Sequence, residues 1–231
     1  MGKDSHILTI NSGSSSIKFS LYVLGETERL SVKGELARIG VAGGFFAIRE
    51  GNQRATQELE LPDHDTAWKT LFTWLKGHAI GKELQAVGHR LVHGGRAHIR
   101  PQLVSPALLE DLKLLVPLAP DHLPHEIKGL EAVQQNFPEV QQVACFDTAF
   151  HRRMPEVAQR YALPTSLARG GLLHYGFHGL SYEYLTQELT RKTGAYGKLI
   201  MAHLGNGASM VAIEDGRSLD TTMGLTPTGG L

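Results

Sequence analysis

The chain has 231 residues, 23 lysines plus arginines set against 23 aspartates plus glutamates, and a single cysteine, Cys145. At this length roughly 70% of the unfolded surface is buried on folding, so the fold needs no disulfide framework, and one cysteine cannot form one. Balanced charge argues against a nucleic-acid partner or a polybasic membrane contact, and no apolar run approaches the ~18 residues of a membrane span.

The start, MGKDSHILTI, has no apolar leader, and Ile7 stands where a myristoylation signal wants serine or threonine. The cytoplasm is the expected location. Cys145 lies in the apolar run VACF and reads as a buried, inert thiol.

In chain order, Ile7 to Ile10 is a short apolar strand that ends in NSGSSS, and Ile17 to Leu24 resumes as a second strand. Leu30 to Ile39, Phe45 to Arg49 and Thr56 to Leu61 continue as β segments separated by glycines. From Asp65 to Lys76 the period changes. Trp68, Leu71, Phe72 and Leu75 recur at three and four, the spacing of a helix with a core stripe. Gln85 to Val92 reads as a strand, Pro106 to Val116 and Glu126 to Phe137 as helices, and Val140 to Phe146 as a strand. His151 to Phe177 is irregular, rich in Arg, Pro and Gly. Ser181 is the expected cap of a helix that runs to Thr193 and stops across Gly194 to Gly197. Leu199 to Leu204 and Ser209 to Ile213 close the list as strands around the turn GNGA.

The run LTINSGSSSIKFS near the start resembles MAHLGNGASMVAI near the end: apolar strand, tight Gly/Ser/Asn turn, apolar strand. A duplicated unit of this kind predicts an α/β protein of two related domains, 1–150 and 151–231, the second one incomplete. The ending TPTGGL is neither helix nor capped strand, and the chain reads as cut.

Five groups can carry chemistry. The turn Asn11 to Ser16, followed by Lys18, offers close backbone N–H groups, hydroxyls and a cation, as a phosphate site needs; a flexible linker is the bland alternative. It is not a GxxxxGK[ST] loop. His203, Leu204, Gly205, Asn206 and Gly207 repeat the offer, although Asn-Gly is also the commonest hairpin turn. Arg90, at a strand end in VGHRLVHGG, has the guanidinium fork that grips a carboxylate, or else it pairs with a structural acid. His89 and His93 are four apart on a strand, a spacing that does not converge on zinc. Asp147 closes a strand in FDT, where it can hold Mg2+ or orient an attacking group, or merely begin a turn or cap a helix. His178, in GFHG before a helix, can face developing negative charge or lie on the surface.

Taken together, NSGSSSIKF, VGHRLVHGG, FDTAFH, GFHG, AHLGNGAS and DTTMGLTP resemble the acetate kinase family, in the family's order and from residue 11 to 227. The resemblance implies an actin-like (ribonuclease H-like) ATPase fold of two duplicated α/β domains with nucleotide in the cleft. It implies reversible transfer of the ATP γ-phosphoryl group to acetate, giving acetyl phosphate and ADP, with Mg2+ or Mn2+ and a homodimeric assembly. By the same resemblance Asn11 holds the metal, while Ser14, Ser16, Lys18 and His203 to Gly207 face the ATP phosphates. Arg90 grips the substrate carboxylate, and Val92, Phe177 and Pro227 line the pocket for its methyl group. Asp147 is the catalytic acid in the family's pattern; as a carboxylate, ionised at neutral pH, it would more economically orient the substrate or the metal shell. His178 stabilises the transition state.

Three departures qualify this. Where the family shows APLHNP, the chain has Ala119 to Pro124 as APDHLP, so Asp121 replaces a leucine expected near the acyl pocket. HGTSH appears as HGLSY, from His178 to Tyr182, which is expected to leave the histidine loop without its polar support. The family's second catalytic arginine, adenosine-binding segments and metal-binding glutamate fall after Leu231, so the 231-residue chain by itself is expected to be inactive. Propionate or butyrate kinase, and a non-catalytic nucleotide-binding module, are the alternatives.

Overall fold

The computed structural model describes residues 5–78, 83–194 and 197–231. The chain divides into two compact units, one made of Met1–Arg90, Gln102–Lys113 and Asp121–Ala144, the other of Leu91–Pro101, Leu114–Pro120 and Cys145–Leu231.

The first unit is built on a sheet whose strands alternate buried and outward side chains. β1 (Ser5–Ser12), β2 (Ser16–Leu24), β3 (Glu28–Ala37), β4 (Phe45–Glu50) and β5 (Gln53–Glu58) form an antiparallel meander. β6 (Leu84–Leu91) joins β1 in parallel, and β8 (Gln141–Phe146) and the two-residue β7 (Gln102–Leu103) complete the order β5-β4-β3-β2-β1-β6-β8-β7. The pattern in β2 shows the logic: Ile17, Phe19, Leu21 and Val23 are buried, whereas Ser16, Lys18, Ser20 and Tyr22 point the other way.

Helices cover the apolar face. α1 (His64–Gly77) is capped by Asp63, whose carboxylate accepts the Thr66 N–H at 2.8 Å, and its stripe of Ala67, Trp68, Leu71, Phe72 and Leu75 is buried. α3 (Leu123–Asn136) starts three residues earlier than its periodicity suggests, because Pro124 occupies its opening turn. Leu8, Ile10, Phe19, Leu36, Trp68, Leu71 and Val133 share one core. At roughly 25 cal/mol per Å2 of buried apolar surface, each such side chain contributes about 1.5–3 kcal/mol. α2 (Pro106–Leu115) also belongs to the expected helices, and a 3-10 turn, Val116–Leu118, follows it.

In the second unit, β9 (Lys198–Leu204), β10 (Ala208–Glu214) and β11 (Arg217–Thr221) form a three-stranded antiparallel sheet. β11 is shorter than the other two, and its polar sequence RSLDT gives no apolar alternation to read. In both β1–β2 and β9–β10, a three-residue loop joins antiparallel strands that continue into a third, as the internal similarity suggests. Val211 and Ile213 pack on Tyr182 of α6 (Gly179–Thr193).

The stretch from His151 to Phe177 is less irregular than its composition suggests. It holds the end of a 3-10 turn (Ala149–Arg153) and two single-turn helices, α4 (Glu156–Gln159) and α5 (Thr165–Arg169). The expected cap of α6 is corrected. The helix starts at Gly179, and its N-cap is His178, in left-handed backbone with φ 60° and no side-chain cap. Ser181 lies inside the first turn, where its N–H donates to the His178 carbonyl at 3.0 Å. Gly194 ends the helix with φ 77°; the remainder of the expected stop, 195–196, lies outside the described residues. Among the described residues no helix is long and apolar enough to cross a membrane.

Candidate functional site

The first candidate turn is the loop of the β1–β2 hairpin. Gly13 N–H donates to the Ser16 carbonyl at 2.8 Å and Ile39 N–H to the Ser15 carbonyl at 3.0 Å, so the loop is bonded at its base and on its flank. Ser14 is exposed, Ser16 half-buried and Lys18 exposed. Asn11 and Lys18 are cross-strand partners, and the same lateral row continues through Glu35, Ala47 and Thr56 on the outward face of the sheet.

Arg90 lies on β6, one step past the last paired residues, Ile10 and His89. Its Nη1 donates to Asn11 Oδ1 at 2.9 Å, which sets the guanidinium beside the hairpin. The next row holds Ser20, Lys33, Arg49 and Arg54. Lys33 faces Arg49, and Arg49 faces Arg54, so three cations stand in line where like charges oppose each other directly. Lys18, Lys33, Arg49 and Arg54 line a shallow cavity of about 490 Å3 with Glu35 as its one acidic group.

Two histidines unnoticed in the sequence brace this hairpin. His64, the first residue of α1, donates from Nε2 to the Gly13 carbonyl at 2.8 Å. The His125 ring stacks on it at 4.3 Å, and the His125 carbonyl accepts from Ser12 Oγ at 3.5 Å. Burial, and then the neighbouring His64, lower the His125 pKa. Only the proline and aspartate that precede His64 hinted at a helix start; nothing local pointed to Gly13, 51 residues away.

In the second unit Asp147 is buried, follows β8, and has its N–H bonded to the Leu91 carbonyl at 2.9 Å. Its own carbonyl accepts the Gly179 N–H at 2.9 Å. A Cβ at Gly179 would fall on that carbonyl oxygen, which explains why glycine opens α6. The approach brings the start of α6 against the Asp147 backbone.

His178 is fixed by its side chain. Ser209 Oγ lies 2.8 Å from its Nδ1, and the His203 ring stacks on it at 4.0 Å. A Cβ added at Gly207 would lie 3.6 Å from His178 Nε2, so the second candidate turn runs beside this ring. His203 is half-buried, with Nδ1 3.2 Å from Ser181 Oγ, while Leu204, Gly205 and Asn206 are exposed and Gly207 is half-buried. The expectation that HGLSY deprives the loop of polar support is overturned. Tyr182 is fully buried, and its hydroxyl lies 2.8 Å from the Ser209 carbonyl and 2.6 Å from Ser209 Oγ.

Val92 and Phe177 are buried and Pro227 is half-buried. His93 joins the first two: it follows Val92, and its ring meets Phe177 edge-on at 5.6 Å and Tyr175 at 4.5 Å. His151, a further residue that sequence reasoning passed over, donates from Nε2 to the Phe177 carbonyl at 3.0 Å and accepts at Nδ1 from Ser218 at 2.9 Å. Desolvation lowers the pKa of His93 and of His151 to about 4, so both rings are neutral. Asp121 is exposed in the turn before α3. Cys145 is half-buried rather than fully buried, and burial pushes its thiol pKa up, away from reactivity.

Residues 6–231 match the model of the Acetokinase family. The chain belongs to this family. It is 43% identical over 228 residues to an acetate kinase of Deinococcus radiodurans, with 97% of the chain and 57% of that relative covered. An acetate kinase of Bacillus subtilis is 40% identical over 234 residues, covering 98% of the chain and 59% of the relative. Among solved structures, a propionate kinase from Francisella tularensis superposes with TM-score 0.90 at 37% identity, covering 96% of this chain and 58% of that one. The acetate kinase of Porphyromonas gingivalis gives 0.85 at 36% identity, with the same coverage. This acetokinase-family chain thus spans under three fifths of the length of these relatives.

The family resemblance implies a divalent cation, and Asn11 is the residue that would hold it. Its Oδ1 is a hard oxygen with a second lone pair beside the Arg90 bond. Mg2+ keeps several waters and takes phosphate oxygens, so one protein oxygen next to a phosphate-type turn fits it. Among the described residues no group of three or more His, Cys, Asp or Glu converges as a metal cage.

Proposed function

We propose that the protein to which this chain belongs is an acetate kinase, which reversibly transfers the γ-phosphoryl group of ATP to acetate to give acetyl phosphate and ADP. The observation that carries this reading is the Arg90–Asn11 hydrogen bond, 2.9 Å, which joins a carboxylate-type fork to the strand of the phosphate-type hairpin on one face of one sheet.

In this reading a carboxylate oxygen of acetate attacks the γ-phosphorus. The new O–P bond forms as the bond to the bridging β,γ oxygen breaks, and ADP leaves. Attacker and phosphoryl group are both anionic, so catalysis rests on holding them in line and offsetting their repulsion. Arg90 holds the acetate, with its orientation set by Asn11. The N–H groups and hydroxyls of the Ser14–Ser16 loop, with Lys18, meet phosphate oxygens, and His203 to Gly207 serve ATP as a second phosphate-type turn. His178 donates to the oxygens that gain charge, and Asp147 orients the substrate. Asn11 would hold Mg2+ or Mn2+, which when bound would supply neutralising charge. Val92, Phe177 and Pro227 form the wall against the methyl group. The positive face of Lys18, Lys33, Arg49 and Arg54 favours the approach of anions. The protein is read as a cytoplasmic homodimer.

The test is hydroxamate trapping of acyl phosphate by the complete protein with acetate, propionate and butyrate. Acetate should give the highest kcat/KM, and chelation of divalent cations should abolish turnover. Preference for propionate would favour the second reading, with which the 0.90 superposition on the Francisella propionate kinase is compatible. ATP binding without any acyl phosphate would leave a nucleotide-binding module.

A further inference from the structure

Behind His178, buried hydroxyls form a chain. Ser209 is fully buried, and its Oγ lies 2.8 Å from His178 Nδ1 and 2.6 Å from the Tyr182 hydroxyl, which is also 2.8 Å from the Ser209 carbonyl. Burial raises the Tyr182 pKa, opposed by Ser209 and by the His203 backbone, so the phenol keeps its proton at neutral pH.

Two proton arrangements satisfy this geometry. With a neutral His178, Tyr182 donates to Ser209 Oγ, Ser209 donates to Nδ1, and the ring proton sits on Nε2. With a charged His178, Nδ1–H donates to Ser209 Oγ, Ser209 donates to the Tyr182 oxygen, and Tyr182 donates to the Ser209 carbonyl. Every buried proton has an acceptor in both states, and the second network serves equally a neutral ring protonated at Nδ1. Without the tyrosine oxygen, the charged state strands the Ser209 proton in a buried site. The neutral state loses nothing at the ring.

We propose that Tyr182 is a positioning residue for His178: through Ser209 it fixes the imidazole and lets it take up positive charge. This gives a role to the tyrosine that stands where the family pattern has a histidine. The inference rests on the reading of His178 as the charge-stabilising group, but its first test does not use activity. Among the described residues, the titratable groups near the ring include His203 on β9, stacked on it, and His151 on the 3-10 turn, whose titration senses both His178 and Asp147. They are unchanged in the variants below.

The experiment is an NMR titration of the histidine Cε1–H signals of the chain, with the His178 signal assigned by its loss in H178Q. Tyr182→Phe should lower the His178 pKa by about half a unit or more, the equivalent of one hydrogen bond to the charged form. Tyr182→His, which restores a ring nitrogen able to accept, should recover part of the shift. Ser209→Ala, which removes the acceptor at Nδ1, should lower the pKa at least as far and serves if Tyr182→Phe does not fold. An unchanged His178 pKa in a folded Tyr182→Phe chain, or in Ser209→Ala, would overturn the relay. In the complete protein, the limb of the kcat profile governed by charged His178 should move by the same amount as the titration. A titration shift without that movement would support the relay and count against the kinase role of His178 alone.

Discussion

His64 donates to the Gly13 carbonyl across 51 residues of sequence, at 2.8 Å, and so fastens the first turn of α1 to the loop of the β1–β2 hairpin. The bond is shielded, since His64 is buried and the His125 ring lies flat against it. If the loop meets phosphate through its backbone, as proposed, its N–H groups must be in place before the ligand arrives, and this contact holds the Gly13 peptide.

His64→Ala should therefore cost about 1–3 kcal/mol of unfolding free energy, because it strands a carbonyl and opens a small cavity. Urea unfolding of the chain measures this. In the complete protein the KM for ATP should rise more than kcat falls, and His64→Gln, whose amide can donate to the same carbonyl, should recover much of both losses.

Arg90→Lys and Arg90→Ala should both reduce kcat/KM for acetate by roughly 100- to 1,000-fold in the complete protein, since a lysine cannot reproduce the two-pronged grip. Hydroxamate trapping over a range of acetate concentrations reads this. An acetate dependence that stays unchanged would remove Arg90 from the site.

Acid should destabilise the chain through three buried histidines. Burial lowers the pKa of His89, His93 and His151 to about 4, below the ordinary 6.5. Between those values the unfolded chain binds more protons than the folded one. The stabilising contribution is thus complete above pH 6.5 and disappears as pH falls toward 4, on the order of 3 kcal/mol per ring at most. Urea midpoints measured from pH 7.5 to 4.5 should fall steadily, and His151→Asn should start lower but decline less steeply.

The row Lys33–Arg49–Arg54 makes the opposite kind of prediction, a gain. None of the three is ion-paired among the described residues, and each directly faces a like charge. Arg49→Glu places opposite charges on both sides and should raise stability by about 0.2–1 kcal/mol at low salt, with the gain shrinking in high salt. In the complete protein the same change should slow capture of anionic substrates, lowering kcat/KM more than kcat.

Much of the fold was legible because local chemistry carries it. Ile17, Phe19 and Leu21 alternate as a half-buried strand must, and Trp68, Leu71, Phe72 and Leu75 return every three or four residues as a helix stripe must. The two hairpin turns were visible because Gly, Ser and Asn are placed where the backbone has to reverse. β11 was not visible, since RSLDT is short and polar, and its strand character comes from pairing with β10. Nor was the cap of α6, because a left-handed histidine held by Ser209 on another strand took the place of a side-chain cap from Ser181.

The sequence by itself determined most of the elements, the order of the motifs and the family, all of which rest on residues close together in the chain. Which side chains meet was decided only by the tertiary structure. Arg90 and Asn11 are 79 residues apart, His64 and Gly13 are 51 apart, and Tyr182 and Ser209 are 27 apart. Periodicity assigns a residue to a face, but pairing register and helix packing decide which face it meets, and a hydrogen bond needs its partners placed to within a few tenths of an ångström. For that reason the turn and the arginine could be read as chemistry in advance, whereas the histidine under the turn and the tyrosine behind His178 could not.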